Sequence, residues 1–349
     1  MGLPEILIEF KAAASTAVAR SGNGIAALIL RDGSNAAVSY SYTKLADIVQ
    51  SHWTAANHDI LRKTFLGGPA RVLVERIGAD DAYDAALARL KHKKWNYLAI
   101  PDLAEDGASA IADWIIAQRA DKKTFKAVLP GYAANNEGII NFATEGIKED
   151  TKTYTAAQYC ARIAGILAGT PLDASCTYAV LPEVTSITES ADPDKDIDDG
   201  KLILIDDGAH IKIGRGVNSL TTLTGGKTAD MQKIKIVDGM DLMRDDIRAA
   251  FEDNYIGIAN SYDNKQLFVN AVNVYLAGLV RDGVLYDAYD NSAYIDIAAQ
   301  RAWLESKDPA WADKDDNEVK EANTGSYVFA GCGVKFQDAI EDLRFSIVM

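Results

Sequence analysis

The sequence predicts an α/β domain followed by an α+β domain, with an extended strand arm at each end of the chain. Three patterns lead to this fold class. Residues 24–148 alternate between short apolar runs and single helical stretches, the order expected of a mixed or parallel sheet. Beyond residue 149 the chain changes to longer helices and a short hairpin. At both ends, apolar residues recur at every second position, which is the period of a strand.

Residues 1–23 are predicted to form an amino-terminal arm, made of a strand followed by a linker. Ile6, Ile8 and Phe10 would share one face of that strand. The stretch 11–23 is rich in Ala, Ser and Thr and ends with Ser-Gly-Asn. Small polar residues of this kind are typical of a flexible linker rather than of a packed helix.

The α/β domain, residues 24–148, begins with an apolar run from Gly24 to Leu30, which is typical of a strand buried on both faces. Its later strands are predicted near residues 38–42, 70–77, 96–101, 125–130 and 139–142. Helices are predicted between them at about residues 55–65, 80–91 and 107–119. The charged, turn-prone run 145–154 is the predicted boundary with the next domain.

The α+β domain, residues 149–341, is predicted to open with a helix over 156–168 that a glycine and a following proline bring to an end. A hairpin is predicted to pair residues 202–205 with 210–213. Two long helices are expected at 239–252 and 265–281.

The carboxy-terminal strand, residues 342–349, carries Leu343, Phe345 and Ile347 on one face and Arg344 and Ser346 on the other. An apolar strand left unpaired in water invites pairing with another chain. We therefore expect this strand to dock on a partner. The pattern leaves two alternatives open, because the partner strand can belong to the same subunit or to a neighbouring copy.

The composition limits the classes of function. Lys and Arg number 36 against 50 Asp and Glu, and the net charge of −14 argues against a nucleic-acid surface and against binding to anionic lipid. Three cysteines without metal-binding spacing are expected to be small buried residues of a protein from a reducing compartment. The amino end does not look like a signal peptide. We expect synthesis in a cytoplasm.

The motifs that suggest chemistry are incomplete. The stretch from Thr224 to Thr228 resembles the end of a phosphate-binding loop, but Thr221 stands where that loop needs its first glycine. The acidic run from Asp192 to Asp199 has Ile197 where a calcium loop needs glycine, so a solvated loop is expected. The sequence therefore predicts no catalytic residue, no metal site and no cofactor. The alternative class is an α/β enzyme that binds a nucleotide or a sugar.

A resemblance extends along the whole chain. The stretches that carry it are Gly2–Ile6, Glu9–Lys11, Gly24–Asp32, Trp95–Leu98, Glu137–Phe142, Ala164–Leu172, Arg215–Thr221, Gln232–Asp238, Tyr255–Gly257, Asn260–Lys265 and Lys320–Ser326. In this order they resemble the tail sheath protein of contractile phage tails, in the short PBSX-like form also found in R-type bacteriocins such as diffocins.

The resemblance implies a non-enzymatic subunit that stacks as six-membered rings into a helical sleeve around a tail tube. Contraction of the sleeve would drive the tube through a target cell envelope. The implied partners are other copies of this chain, the tail tube protein, and the baseplate and tail terminator proteins, with no nucleic acid or membrane. The protein would be made in the bacterial cytoplasm and would end in the sheath of a virion or phage-tail-like particle. The alternative within this class is another phage structural protein.

The resemblance also implies roles for three parts of the chain. Both terminal arms would pass to adjacent subunits and complete a small sheet there. The charged helix expected from Asp316 to Thr324 would line the inner wall, with Glu318, Lys320 and Glu321 facing the tube. From the residues alone, a solvated surface helix explains that stretch equally well.

Overall fold

The computed structural model describes residues 24–349, which contain fourteen strands and nine α-helices. The strands are β1 (Ile25–Arg31), β2 (Ser39–Tyr42), β3 (Arg71–Ile77), β4 (Tyr97–Ala99), β5 (Lys126–Pro130), β6 (Ile139–Phe142), β7 (Glu145–Glu149), β8 (Lys152–Tyr154), β9 (Ser186–Thr188), β10 (Lys201–Leu202), β11 (Leu204–Asp206), β12 (Ile211–Ile213), β13 (Ser292–Ile295) and β14 (Ala330–Gly333). The helices are α1 (Ala55–Leu66), α2 (Asp84–Leu90), α3 (Ala108–Ala120), α4 (Ala156–Gly169), α5 (Pro193–Asp198), α6 (Ile234–Asn254), α7 (Tyr262–Arg281), α8 (Ile297–Glu305) and α9 (Asp316–Glu321).

The described residues form two compact units. The sheet unit comprises residues 24–238 together with 338–349, and the inserted unit comprises residues 239–337. Seven strands of the sheet unit form one sheet in the order β10-β6-β5-β4-β1-β3-β2. All neighbouring strands are parallel except β2, which runs antiparallel to β3 at one edge. The predicted combination of a mixed α/β sheet and an α+β part is confirmed.

Strand β1 lies inside this sheet, between β4 and β3, and its side chains point alternately into two cores. Ala26, Leu28 and Leu30 pack on the side of α1 and α4. Ala27 and Ile29 pack on the side of α2 and α3. All five side chains are at most 1% exposed. Burial on both faces is the reason that this strand is a continuous apolar run in the sequence.

The helices α1 and α4 approach each other closely because glycines line their contact. A Cβ atom on Gly165 would lie 2.1 Å from the carbonyl oxygen of Thr64, and one on Gly169 would lie 1.9 Å from that of Gly67. No side chain fits at such distances from a backbone atom. The contact therefore requires glycine at both positions of α4.

Charged and phenolic side chains are buried beside α4. Arg162 Nε donates to Glu183 Oε1 at 2.6 Å, and the Tyr159 hydroxyl donates to the same oxygen at 3.1 Å. The side chains of Arg162 and Glu183 are only 4% and 15% exposed. Burial alone would raise the pKa of Glu183, but the hydrogen bond and the charge of Arg162 outweigh burial and lower it.

Two smaller sheets complete the sheet unit. Strands β8, β7 and β9 form one of them, in that order. Strands β11 and β12 form an antiparallel hairpin that pairs Leu204 with Ile213, and Gly208 in its turn has a φ of +85°. This confirms the hairpin predicted from the sequence.

The inserted unit is mainly helical, with one two-stranded sheet of β13 and β14. The Tyr275 hydroxyl of α7 donates to the buried Asp246 carboxylate of α6 at 2.9 Å. The Phe268 ring meets the Phe251 ring edge-on at 5.1 Å. The fully buried Gln300 of α8 donates to the carbonyl of Val319 in α9. The first two contacts join α6 to α7, and the third joins α8 to α9.

The predicted domain boundary near residue 148 falls inside the sheet unit. Helix α4 follows that point in the chain, yet it packs against β1, β4 and β5 and closes one of the two cores of the sheet. The units instead divide after residue 238 and again before residue 338.

Two local predictions also differ from the structure. The helix expected from Asp80 begins at Asp84, because residues 79 and 80 form a turn that Asp81 closes by accepting the Gly78 N–H at 2.8 Å. The acidic run expected to be a loop forms α5. Its N-terminus is capped by Asp192, which accepts the Lys195 N–H at 3.1 Å.

We predict that Gly165→Ala destabilises the sheet unit by about 1–3 kcal/mol, because the added methyl group overlaps a backbone oxygen that cannot move freely. The helix preference for Ala over Gly offsets only about 1 kcal/mol of this loss. Urea unfolding followed by circular dichroism measures the change. Gly33→Ala is the matched control, since a Cβ there meets no atom within 4 Å. Equal stability of the two variants would contradict the prediction.

We also predict that acid weakens the fold through Glu183. A carboxyl whose pKa is lower in the folded state stabilises the protein above its unfolded pKa, about 4.3, and this contribution is lost as the pH falls through the folded value. Urea midpoints between pH 7 and pH 3 should therefore fall less steeply in Glu183→Gln than in the wild type, from a lower value at pH 7. Parallel pH profiles would show that Glu183 is not responsible.

Candidate inter-subunit interface

The C-terminal segment, residues 343–349, is exposed along its length. Leu343, Phe345 and Ile347 are 83%, 77% and 77% exposed. Within residues 24–349, the segment joins no sheet. Large apolar side chains are normally withdrawn from water, so this segment presents an unpaired surface. The amino-terminal candidates Ile6, Ile8 and Phe10 lie outside the described residues.

The residues just before this segment are held on the sheet unit. Glu341 accepts a hydrogen bond from the Ser175 hydroxyl at 3.0 Å, and its side chain is only 7% exposed. Arg215 Nη2 donates to Asp342 at 2.6 Å. Glu341 and Asp342 thus contact the sheet unit, whereas the exposed segment begins at Leu343, the next residue.

The sheet of β13 and β14 differs between its two edges. On the outer edge of β13, Ala293 donates its N–H to Asn273 Oδ1 at 2.7 Å and accepts from Asn273 Nδ2 at 3.3 Å. The α7 side chain thus occupies the backbone groups that a further strand would need. Strand β14, with exposed Ala330 and half-buried Cys332, pairs with β13 alone among the described residues. No strand among the described residues pairs with the other edge of β14.

The helix α9 carries the three candidates for tube contact. Glu318 and Glu321 are exposed and Lys320 is half-buried, while Val319 is fully buried below them. The carboxylate of Glu318 accepts the Asp315 N–H at 3.2 Å, and Asp315 accepts the Glu318 N–H at 2.9 Å. This reciprocal cap fixes the start of the helix.

The helix ends at Glu321, three residues before the predicted end at Thr324. It stops because Ala322 turns to an extended conformation, with a ψ of 147°. The Ala322 carbonyl accepts from the buried Lys265 Nζ at 3.2 Å instead of continuing the helix.

Three groups that could have suggested chemistry, the thiols of Cys160 and Cys176 and the ammonium of Lys227, are buried or paired. Burial raises the pKa of the Cys160 and Cys176 thiols, the latter to about 12. Lys227, in the stretch that resembles a phosphate-binding loop, forms an ion pair with Glu137 at 3.1 Å. No group of three or more His, Cys, Asp or Glu side chains suited to a metal ion occurs among residues 24–349. In the same part of the chain, no helix is long and apolar enough to cross a membrane.

Sequence reasoning did not find the partners of residues 338–342. Arg215 lies 127 positions from Asp342, and Lys233 lies 105 positions from Asp338. Periodicity relates residues within one element and says nothing across such separations. Opposite charge was the only available signal, and a chain with 36 basic and 50 acidic residues offers too many such pairs.

Comparison with known families gives this geometry its context. The model for the phage tail sheath protein central domain matches residues 77–219, and the model for the phage tail sheath C-terminal domain matches residues 226–349. The chain belongs to the phage tail sheath family. The resemblance seen in the sequence is thus confirmed.

One curated relative of the sheath subunit is the tail sheath protein of Clostridium phage phiCD119. It is 37% identical over 360 residues, which cover 100% of this chain and 99% of that protein. The sheath tail protein of Desulfitobacterium hafniense matches in structure with a TM-score of 0.71 and 15% identity, over 84% of this chain and 94% of that one.

The contracted helical sheath of the anti-feeding prophage matches with a TM-score of 0.70 and 16% identity, over 100% of this chain and 99% of that one. At these identities the solved structures establish the fold, and the family match and the phage relative establish the class of protein. The protein is a structural subunit of a contractile tail sheath. It is therefore a component of a virion or of a phage-tail-like particle.

Proposed function

We propose that the sheath subunit polymerises as stacked hexameric rings around a tail tube, and that contraction of this polymer drives the tube through a target cell envelope. The observation that supports polymerisation most directly is the exposed apolar segment 343–349, which has no strand partner within the described residues. The function proposed is mechanical rather than enzymatic. It is a property of many copies acting together.

The proposed partners are other copies of this chain, the tail tube protein, and the baseplate and tail terminator proteins at the two ends of the sheath. The protein would be made in the bacterial cytoplasm and assembled there. A solved structure of the anti-feeding prophage baseplate contains a chain of the same fold, with a TM-score of 0.71. That likeness supports a baseplate contact for the subunits at one end.

The contact between subunits is proposed to be strand addition by the two terminal arms, which carry Ile6, Ile8 and Phe10 at one end and Leu343, Phe345 and Ile347 at the other. A strand added to an open edge gains main-chain hydrogen bonds and buries alternate side chains. Burying three large apolar side chains contributes roughly 5–9 kcal/mol before the cost of ordering the arm. Such a contact between identical chains is heterologous and propagates as a helix.

The proposed acceptor is the small sheet of β13 and β14 in a neighbouring subunit, at its β14 edge. Asn273 occupies the β13 edge, whereas β14 has paired backbone groups on one side only among the described residues. An incoming arm would pair with the backbone of β14, Ala330–Gly333, along that edge.

The helix α9 is proposed to face the tube. Its exposed side carries Glu318 and Glu321 together with the half-buried Lys320, and the reciprocal cap between Asp315 and Glu318 fixes the start of the helix that presents them. A rigid charged surface is suited to a partner with complementary charges.

We expect that deleting residues 342–349, or residues 1–20, leaves a folded monomer that no longer polymerises, because the strands that connect subunits are removed. Negative-stain electron microscopy for sleeves, with circular dichroism and size-exclusion chromatography of the monomer, tests this. Normal sleeves after either deletion would refute arm exchange.

A finer test separates the two faces of the C-terminal arm. The triple variant Leu343→Ser, Phe345→Ser and Ile347→Ser should not form sleeves, since the face that docks loses its apolar groups. Changing Arg344 and Ser346 to alanine is the matched control and should be tolerated. If both variants lost sleeve formation equally, docking would not depend on the apolar face of the segment.

We predict that reversing the charges of Glu318, Lys320 and Glu321 weakens assembly on purified tubes. Because Glu318 also caps α9, Glu318→Gln is the control, since glutamine preserves the cap without the charge. Co-sedimentation with tubes at low and high salt measures the effect, which should shrink as salt screens the charges. If the charge-reversed variant assembled as well as the wild type, α9 would not contact the tube.

A further inference from the structure

Three acidic residues within five positions attach the end of the chain to the sheet unit. They are Asp338, Glu341 and Asp342, and each contacts a basic or hydroxyl side chain far away in the sequence. The exposed C-terminal segment begins at the next residue.

Glu341 is the most buried of the three, with its side chain 7% exposed. Its Oε1 accepts from the hydroxyls of Ser175, at 3.0 Å, and Thr177, and its Oε2 lies 3.8 Å from Arg215 Nε. The hydroxyls of Ser175 and Thr177 are themselves held by backbone N–H groups. The Thr177 N–H donates to Ser175 Oγ at 3.1 Å, and the Gly216 N–H donates to Thr177 Oγ1 at 2.9 Å.

Two ion pairs flank this central contact. Arg215 Nη2 lies 2.6 Å from Asp342, so one guanidinium touches two successive carboxylates. Lys233 pairs with Asp338 at the other end. Burial lowers the pKa of the nearby Lys235, and the charges of Asp338 and Glu341 partly oppose this shift.

The order of these contacts along the chain has a geometric consequence. Asp338 and Asp342 fix both ends of a five-residue stretch, and Glu341 fixes a point between them. Residues 343–349 extend beyond the last fixed point by about 23 Å if they are fully extended. Turning the arm by 30° at its base would move its tip by about 12 Å, whereas adjacent strands lie about 4.8 Å apart.

We propose that Arg215, Lys233, Ser175 and Thr177 form a clamp on Asp338, Glu341 and Asp342 that sets where, and in which direction, the C-terminal arm leaves the subunit, and so delivers it to the acceptor edge of a second copy. This inference rests on the arm exchange proposed above. The clamp residues are positioning residues, since none of them lies in the arm that docks.

Trypsin provides a test that does not depend on assembly. Arg344 is the last basic residue of the chain, and cleavage after it releases the pentapeptide Phe-Ser-Ile-Val-Met, which mass spectrometry can follow. A protease needs several residues around the bond to be free, so the clamp slows this cut in the full-length monomer. We expect Arg215→Ala combined with Lys233→Ala to accelerate release roughly three- to tenfold, which corresponds to about 0.7–1.4 kcal/mol for the loss of the exposed ion pairs together. The same variant should form few sleeves or none.

The controls separate position from charge. Arg215→Lys with Lys233→Arg keeps both charges and should restore slow cleavage and sleeve formation. Lys195→Ala also removes one positive charge and one ion pair, that with Asp199, and should behave like the wild type.

The outcomes distinguish the two proposals. If deletion of 342–349 abolishes sleeves while the double alanine variant is cut slowly and assembles normally, the clamp is refuted and arm exchange stands. Faster cleavage with normal sleeves also overturns the clamp, because the contacts would then hold the chain without directing it. If the deletion leaves sleeves intact, arm exchange itself fails.

Discussion

The structure depends first on the burial of β1 from both sides. Its five central side chains point alternately into two cores, and neither core can be left open to water. Helices α2 and α3 close one face, and α1 and α4 close the other. Since α1 and α4 meet through Gly165 and Gly169, their backbones approach almost to contact, and the core on that side is sealed without large side chains between them.

The sequence predicted the elements that depend on local patterns, but not the boundary that depends on how the sheet is covered. The apolar run at β1, the strand and helix alternation and the hairpin at β11 and β12 are local patterns, and they predicted the corresponding elements. The domain boundary was placed too early because it followed a charged run in the chain. The requirement that decides the boundary is that α4 covers the sheet, which is a contact between distant residues. The helix α5 was missed because acidic side chains suggest solvent, whereas here Asp192 caps the helix and Lys195 pairs with Asp199.

For the candidate interface too, the sequence predicted local features but not the contacts between distant residues. Alternation at Leu343, Phe345 and Ile347 indicated a strand in need of a partner, and the structure adds that these side chains are exposed in the single chain. The assignment as a sheath subunit came from the resemblance, and the family match confirms it. The contacts of Glu341 with Ser175 and Arg215 could not be foreseen, because hydrogen bonds between residues far apart in the sequence appear only once the fold is known.

The path of the chain between its two units has a mechanical meaning. The chain leaves the sheet unit after Asp238, whose carboxylate is held by Lys126 at 3.0 Å and by the Tyr97 hydroxyl at 2.6 Å, and it returns at Asp338. The last residues therefore belong to the sheet unit, although the inserted unit precedes them in the sequence. A tensile load on the C-terminal segment would therefore reach the sheet unit first, through the contacts of Asp338, Glu341 and Asp342, before it reaches residue 337 of the inserted unit.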